Sequence, residues 1–147
     1  MIQQEVQTHL NQFMIGCRTC GHQEMYDRPL AACPSCGGKW LDAVYDYAEP
    51  REKWPLELRQ RGASIWRYNE LLPVRDKRNI VSFGEGWTPL IKAENLGLML
   101  GHKHIYIKDE RQGPTGSFKD RQASIAVSAM KEAGIREAVV ASTGNVA

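Results

Sequence analysis

A lysine in the second half of the chain stands where a reactive amine could be held at the start of a helix. Lys119 follows the run Gly-Pro-Thr-Gly-Ser-Phe, in which a proline and two glycines predict a turn. The positive end of a helix dipole repels a cation, so the neutral form of an amine is favoured there. A neutral amine is the nucleophile that Schiff-base chemistry requires. We therefore predict a chemical role for Lys119.

The residues around this lysine predict a strand, a helix and a second strand. Residues 105–107 are apolar and β-rich, Ser117 can cap a helix with Asp120 three residues later, and Gly134 can end it. Residues 138–141 predict a short buried strand. Such a unit pairs its strands in parallel, so we predict an α/β fold. The helix has apolar residues at spacings of three and four, namely Ala123, Ala126, Val127, Met130 and Ala133.

A polar turn follows the second predicted strand. It reads Ser-Thr-Gly-Asn and ends at Asn145. Open α/β sheets bind ligands at the carboxyl ends of their strands. We therefore expect this turn and Lys119 to lie on neighbouring loops at one edge of the predicted sheet.

These motifs resemble those of the fold-type II pyridoxal-phosphate enzymes, and among them the threonine synthases. The matching runs are Pro-Thr-Gly-Ser-Phe-Lys-Asp-Arg, Ser-Thr-Gly-Asn and, upstream, Gly-Glu-Gly-Trp-Thr-Pro-Leu. The resemblance covers about residues 80 to 147. It implies pyridoxal phosphate as cofactor and an amino-acid substrate. The implied reaction converts O-phospho-L-homoserine and water to L-threonine and phosphate.

The resemblance also implies a role for each matching position. Lys119 would bind pyridoxal phosphate covalently and then move protons, and Asn145 would donate a hydrogen bond to the phenolic oxygen of the cofactor. The loop that receives the α-carboxylate of the substrate would consist of Ser142, Thr143 and Gly144.

Two further positions are implied near the substrate phosphate, and two others depart from the family. Lys108 and Ser117 would lie near that phosphate, although a lysine at a strand end is also a common solvated charge. Gly113 stands where asparagine is common in the family, and Gln122 where glycine is common. The substrate therefore stays open. A threonine dehydratase or a cysteate synthase, which share the lysine and the asparagine loop, is an alternative.

The family pattern extends well beyond these motifs. The resemblance implies a glycine-rich phosphate loop and a partner for the pyridine nitrogen further along a family member. We therefore expect the 147-residue chain to be an N-terminal portion that is inactive alone. A homodimer is a possible state of the full-length enzyme.

All four cysteines of the chain lie in two Cys-x2-Cys motifs near its beginning. They are Cys17 and Cys20, then Cys33 and Cys36. Two such turns can supply four thiolates at tetrahedral angles, which predicts a closed structural Zn²⁺ site of the zinc-ribbon or rubredoxin type. Iron is an alternative with the same ligands, and two disulfides are another.

Spacing and composition complete the predicted organisation. We predict a zinc ribbon at residues 1–48, a helical connector at 49–79 and the start of the catalytic domain, with an incomplete parallel sheet, at 80–147.

The net charge of +2 argues against nucleic acid as a partner. With no stretch long enough to span a membrane and no signal-peptide pattern, we expect a cytoplasmic protein. A non-catalytic zinc-ribbon interaction protein is the alternative from another class.

Overall fold

Three short strands carry the two cysteine motifs. The computed structural model describes residues 12–146, and its first strands are β1 (Met14–Cys17), β2 (Gln23–Met25) and β3 (Leu41–Val44). Both neighbours pair antiparallel with β1, which lies in the middle of the sheet. The predictions that fall on residues 1–11 and on Ala147 lie outside the described residues.

An aromatic cluster forms the core of this small sheet. Phe13 is buried, its ring stacks on Tyr26 with centroids 4.6 Å apart, and Tyr45 lies 5.5 Å away. Burial raises the pKa of Tyr45 to about 12. Trp40 lies outside this cluster, and its side chain is 77% exposed. Only its backbone is fixed, by a 2.9 Å hydrogen bond from Arg18 N to the Trp40 carbonyl.

Helical turns follow the ribbon. They comprise α1 (Ala48–Glu57) and two 3-10 helices at Ile65–Leu71 and Lys77–Asn79. Ser64 and Asp76 begin the two 3-10 helices by accepting hydrogen bonds from backbone N–H groups two residues later. Short polar side chains are favoured at such positions because they satisfy the first free N–H groups. No helix within residues 12–146 is both long and apolar enough to cross a membrane.

The second half of the chain combines a strand pair with helices. Strands β4 (Leu90–Lys92) and β5 (Tyr106–Lys108) pair antiparallel, with α2 (Glu94–Leu100) between them in sequence. A 3-10 turn at Glu110–Gln112 then leads to α3 (Lys119–Glu132). The structure therefore contains the predicted helix, which begins at the predicted lysine.

The predicted parallel strand pair is not formed. Residues 138–141 have no strand hydrogen bonds in the described part of the chain, and β5 pairs antiparallel with β4 instead. Val139 is 100% exposed, so this segment is not the buried strand that its composition predicts. A strand needs a neighbour to satisfy its backbone groups, and no described residue provides one beside this segment. The broader α/β class is correct.

The buried face of α3 is also different from the predicted one. Val127 and the predicted alanines before it are exposed, whereas Ser124 is buried and Ser128 is 0% exposed. The Ser124 hydroxyl donates to the Val81 carbonyl at 2.7 Å, and the Val81 N–H donates to the Ser128 hydroxyl at 2.8 Å. The small serine side chains allow the loop that contains Val81 to approach α3 closely. Apolar periodicity could not reveal a contact that rests on hydroxyl groups.

The C-terminal end of α3 agrees with the prediction. Gly134 has a φ of 71°, in the left-handed region that glycine adopts without steric cost. The Ile135 N–H donates to the Met130 carbonyl at 2.9 Å, which closes the last turn.

Gly86 generates the first prediction. It has a φ of 105°, and a Cβ at this position would lie 2.5 Å from the Ile65 nitrogen. We expect Gly86→Ala to lower the free energy of unfolding by about 2 kcal/mol or more, because it combines backbone strain with a clash against backbone atoms. Urea denaturation measures the change. Gly62→Ala is the matched control, since no heavy atom would lie within 4 Å of its Cβ. Equal stability of the two variants would contradict this account of the loop.

Candidate functional site

Lys119 and Asn145 lie against the same cavity. This cavity has a volume of about 480 Å³, and Thr115, Gln122 and Gly144 also line it. Lys119 is half-buried, and its Nζ lies 4.6 Å from the centroid of the Phe118 ring. The structure therefore brings the predicted reactive lysine together with the predicted asparagine turn, although the strand before that turn is not formed.

Hydrogen bonds within the loop fix the approach to Lys119. The Ser117 hydroxyl accepts from the Lys119 N–H at 3.2 Å, as expected for a residue at a helix start. Asp120 does not close a capping box with Ser117 but accepts from Thr115 N at 3.0 Å and from the Thr115 hydroxyl. A Cβ at Gly113 would lie 2.8 Å from the Asp120 carboxylate. The glycine at 113 thus makes room for the carboxylate that holds this turn.

A second cavity of about 400 Å³ adjoins the first. Lys108, Ser117 and Asn145 all line it, as does Arg111. The Lys108 ammonium donates a hydrogen bond to the Thr88 carbonyl. The structure therefore places the two residues implied near a substrate phosphate beside the asparagine turn.

The acidic residue beside Lys108 is held by an arginine. Asp109 is buried and accepts two hydrogen bonds from the Arg111 side chain at 2.8 and 2.9 Å. This pairing, opposed by burial, lowers the pKa of Asp109 to about 2. The carboxylate therefore stays ionised, and it fixes the 3-10 turn between β5 and the lysine loop.

The predicted carboxylate-binding turn is open to solvent. Ser142, Thr143 and Gly144 are all exposed. The Gly144 N–H donates to the Ser142 hydroxyl at 3.2 Å, so the turn is closed by its own first residue. The turn thus presents polar groups at the edge of the Lys119 cavity.

A buried glutamate that sequence reasoning passed over anchors the lysine helix. Glu85 is 2% exposed and accepts hydrogen bonds from Trp66 Nε1 at 3.0 Å, from the Ser82 hydroxyl at 2.9 Å and from Phe83 N at 2.9 Å. Trp66 Nε1 also donates to the Ser124 hydroxyl of α3 at 2.9 Å. The network joins the connector, the loop before β4 and α3. The only sequence signal was a glutamate between two glycines.

Hydrogen bonding sets the charge state of this glutamate. Burial acts to raise the pKa of Glu85, but the Ser124 hydroxyl, the backbone N–H groups and the Ser82 hydroxyl outweigh it and lower that pKa below its usual value. A buried carboxylate with several donors is stable as an anion. Glu85 is therefore a charged anchor.

A second ionic network fixes the first turn of α3. Arg121 Nε and Nη2 each donate to the Glu110 carboxylate at 2.9 Å, and the Thr88 hydroxyl donates to the same carboxylate at 2.9 Å. Such a two-point pair constrains both distance and orientation. It holds the segment after β5 and the segment before β4 against the helix turn that contains Lys119.

The four cysteines converge as their spacing predicts. Their sulfur atoms all lie within 4.8 Å of one another, with Cys17 and Cys36 Sγ 3.7 Å apart and Cys20 and Cys33 Sγ 3.8 Å apart. All four are free thiols, so the disulfide alternative is not realised in this structure. Four sulfurs around a zinc ion at about 2.3 Å would lie about 3.8 Å from one another. The residues fit a tetrahedral metal ion.

The two cysteine turns have the same backbone geometry. Gly21 N donates to the Cys17 carbonyl and Gly37 N to the Cys33 carbonyl, each at 2.9 Å. The two glycines have φ values of 76° and 72°, which explains why glycine follows the second cysteine of each motif. Repeated geometry of this kind aims two pairs of sulfurs at one point.

The thiols perturb one another. The N–H of Cys20 is the largest of the influences that lower the pKa of Cys17 to about 6. The Gly38 N–H acts to lower the pKa of Cys36, but the neighbouring thiols and burial outweigh it and raise that pKa to about 12. Four thiolates at this spacing repel one another, and a divalent cation would remove that conflict. The cluster could therefore hold a metal ion.

Part of the chain is similar to a known enzyme family. Residues 81–147 match the family described as pyridoxal-phosphate dependent enzymes. This part of the chain is therefore similar to that enzyme family, which favours an enzyme over a non-catalytic interaction protein. No solved structure matches the chain.

Curated relatives are more specific. The chain is 45% identical over 130 residues to the threonine synthase of Methanocaldococcus jannaschii, which covers 88% of the chain and 32% of the relative. It is 38% identical over 133 residues to the threonine synthase of Methanosarcina acetivorans, covering 90% of the chain and 32% of the relative. The threonine synthase of Halalkalibacterium halodurans is 48% identical over 87 residues, or 56% of the chain and 24% of the relative.

The chain is thus threonine-synthase-like and spans about a third of the length of the first two relatives. The alignments to the first two relatives extend over most of the chain, well beyond residues 81–147. The resemblance stated from short motifs is confirmed by these longer matches.

The buried glutamate generates the second prediction. We expect Glu85→Gln to lower the free energy of unfolding at pH 7 by about 1–3 kcal/mol, because an acceptor of several hydrogen bonds is lost. The folded-state pKa of Glu85 is below its ordinary value of 4.5. The stabilisation is therefore present above that pH and is lost as the pH falls through the folded-state pKa. Denaturation of both proteins between pH 7 and pH 3 measures this dependence.

Glu94 provides the control for this measurement. Its side chain is 71% exposed and forms an ion pair with Lys92 at 3.2 Å. We expect Glu94→Gln to change the free energy of unfolding by less than about 0.5 kcal/mol at any pH. A Glu85→Gln deficit that does not shrink on acidification would contradict the charged anchor.

Proposed function

We propose that this chain supplies the lysine-bearing part of an enzyme that converts O-phospho-L-homoserine and water to L-threonine and phosphate, with pyridoxal phosphate as cofactor. The observation that carries the proposal is the shared cavity of Lys119 and Asn145 within a segment that matches the pyridoxal-phosphate dependent enzymes. The similarity to threonine synthases supports the particular reaction.

The residues of the site have distinct proposed roles. Lys119 binds the aldehyde carbon of the cofactor and later moves protons at the substrate, for which its half-buried position at the start of α3 is suited. Asn145 donates a hydrogen bond that orients the cofactor ring. Pyridoxal phosphate, when bound, withdraws electrons from the bonds at the substrate α-carbon. The substrate α-carboxylate is received by the exposed turn of Ser142, Thr143 and Gly144.

The adjoining cavity suits the phosphate of the substrate. Lys108 supplies a positive charge and Ser117 a hydroxyl at its wall. Lysine is a common point-charge ligand of phosphate. A substrate phosphate bound there would lie near Lys119. Elimination of that phosphate requires such proximity, because Lys119 is the proposed proton carrier.

The organisation of the chain follows from the same proposal. We assign residues 1–48 to a ribbon, 49–79 to a connector and 80–147 to the first part of the catalytic domain and its sheet. We also propose that the full-length enzyme is a cytoplasmic homodimer that binds a small amino-acid substrate.

A second reaction of the same enzyme family remains a candidate because of one position. Gln122 lines the Lys119 cavity and adds an amide there. A threonine dehydratase or a cysteate synthase would use the same lysine with a different substrate. Assay of the full-length gene product with O-phosphohomoserine and with threonine separates these candidates, since a threonine synthase releases phosphate only from the former.

We further propose that Cys17, Cys20, Cys33 and Cys36 hold one structural Zn²⁺ ion. The support is the four-thiol cluster with sulfur spacings of 3.7 and 3.8 Å. Four thiolates leave no open coordination position, which suits a structural rather than a catalytic ion. Iron could bind the same ligands and would be revealed by its visible absorption.

The lysine generates the third prediction. On incubation with pyridoxal phosphate and reduction with borohydride, the protein should gain the mass of one reduced cofactor. We expect Lys119→Ala to lose most of this covalent incorporation, because it removes the amine at the Asn145 cavity. Lys131→Ala, at the other end of α3, is the control and should retain it. Undiminished incorporation in Lys119→Ala would refute the assignment.

The cysteine cluster generates the fourth prediction. Elemental analysis should find one zinc ion per chain, and Cys33→Ser should lose most of it, because a closed site requires all four ligands. Removal of zinc by a chelator should lower the melting temperature of the ribbon. His22→Ala is the control and should keep the metal, since the four sulfurs already complete the cluster. Metal-free protein with paired disulfides would contradict this proposal.

A further inference from the structure

One arginine joins the ribbon to the lysine helix. Arg75 Nε donates to the Glu132 carboxylate at 3.1 Å, while Nη1 donates to the Tyr26 carbonyl at 3.3 Å and Nη2 to the Asp27 carbonyl at 3.5 Å. The guanidinium also lies 5.2 Å from the centroid of the Tyr26 ring. A single planar cation therefore contacts both modules, and it is suited to this because its donors have a fixed geometry.

On the helix side, this contact ends at a buried carboxylate. The Glu132 side chain is 8% exposed and accepts from Arg75 N at 2.9 Å, from Asp76 N at 2.8 Å and from Asn79 Nδ2 at 3.3 Å. Burial acts to raise the pKa of Glu132, but these donors outweigh it and lower that pKa. Glu132 is the last residue of α3, and Lys119 is the first. The anchor therefore fixes the end of the helix opposite to the lysine.

On the ribbon side, the contact reaches the aromatic core. Tyr26 follows β2, and its ring stacks on Phe13 with an interplanar angle of 17°. The Tyr26 N–H also donates to the Phe13 carbonyl at 3.0 Å, next to β1, which ends at Cys17. A ribbon of this size has too small a core to fold without a staple. The position of Tyr26 should therefore depend on the metal cluster.

We propose that Arg75 is a positioning residue that couples occupancy of the four-cysteine cluster to the order of the lysine helix. The inference rests on the proposed metal binding. Metal holds the ribbon, the ribbon holds Tyr26 and the 26–27 backbone against Arg75, and Arg75 with Glu132 holds the end of α3. By thermodynamic linkage, the coupling is reciprocal, so loosening α3 must weaken metal binding by the same factor.

Hydrogen exchange of the whole chain tests this coupling. Removal of zinc by a chelator should speed exchange of the α3 amides between residues 124 and 132 by about five-fold or more, the lower end of typical couplings. Arg75→Met should remove most of this metal dependence while still binding one zinc ion. Arg78→Met is the matched control, because the Arg78 side chain pairs with Asp76 inside its own turn, and it should keep the wild-type response.

The outcomes separate this inference from the proposal on which it rests. If no zinc binds to the wild-type chain, the proposed metal site fails. If zinc binds but α3 exchange does not respond to its removal, or responds equally in Arg75→Met, the coupling is refuted. Arg75→Lys serves if the methionine variant does not fold, since lysine keeps the charge but cannot make the forked contact. A wild-type response in Arg75→Lys would also refute the role of the forked contact.

Discussion

Two buried carboxylates fix the lysine helix, and the candidate site depends on them. Glu85 lies beside the N-terminal half of α3 and is joined to it through Trp66 and Ser124. Glu132 ends the helix and binds the segment before the 3-10 turn at 77–79. A buried carboxylate is costly unless several donors satisfy it, so each glutamate imposes a specific arrangement on the groups around it. This requirement replaces the large apolar core that α3 lacks among the described residues.

The four-cysteine cluster and the lysine loop lie in one small chain, and specific contacts rather than a large apolar core hold each of them. The ribbon is held by an aromatic cluster and a cluster of thiols, and the lysine loop by ionic and hydroxyl contacts. Neither part buries much apolar surface, and many large apolar side chains of β4, α2 and residues 138–141 are exposed. The similarity to threonine synthases extends over ribbon and lysine loop together.

Sequence reasoning succeeded where chemistry is local. The four-cysteine cluster follows from two Cys-x2-Cys turns, and the start of α3 at Lys119 follows from the turn before it. It failed where the structure depends on distant groups. The predicted strand at 138–141 has no described neighbour, and the buried face of α3 consists of serines that bind the Val81 backbone. The role of Glu85 could not be predicted from the sequence, because the Trp66 indole that donates to it lies nineteen residues earlier in the chain.

We propose that the fold singles out one lysine, Lys119, for the cofactor. The most direct test is a peptide map of the unmodified chain after reduction with borohydride at limiting pyridoxal phosphate. The reduced cofactor should be found mainly on Lys119, since this amine shares a cavity with Asn145. Label distributed over exposed lysines such as Lys39, Lys77 and Lys103, with no preference for Lys119, would contradict it.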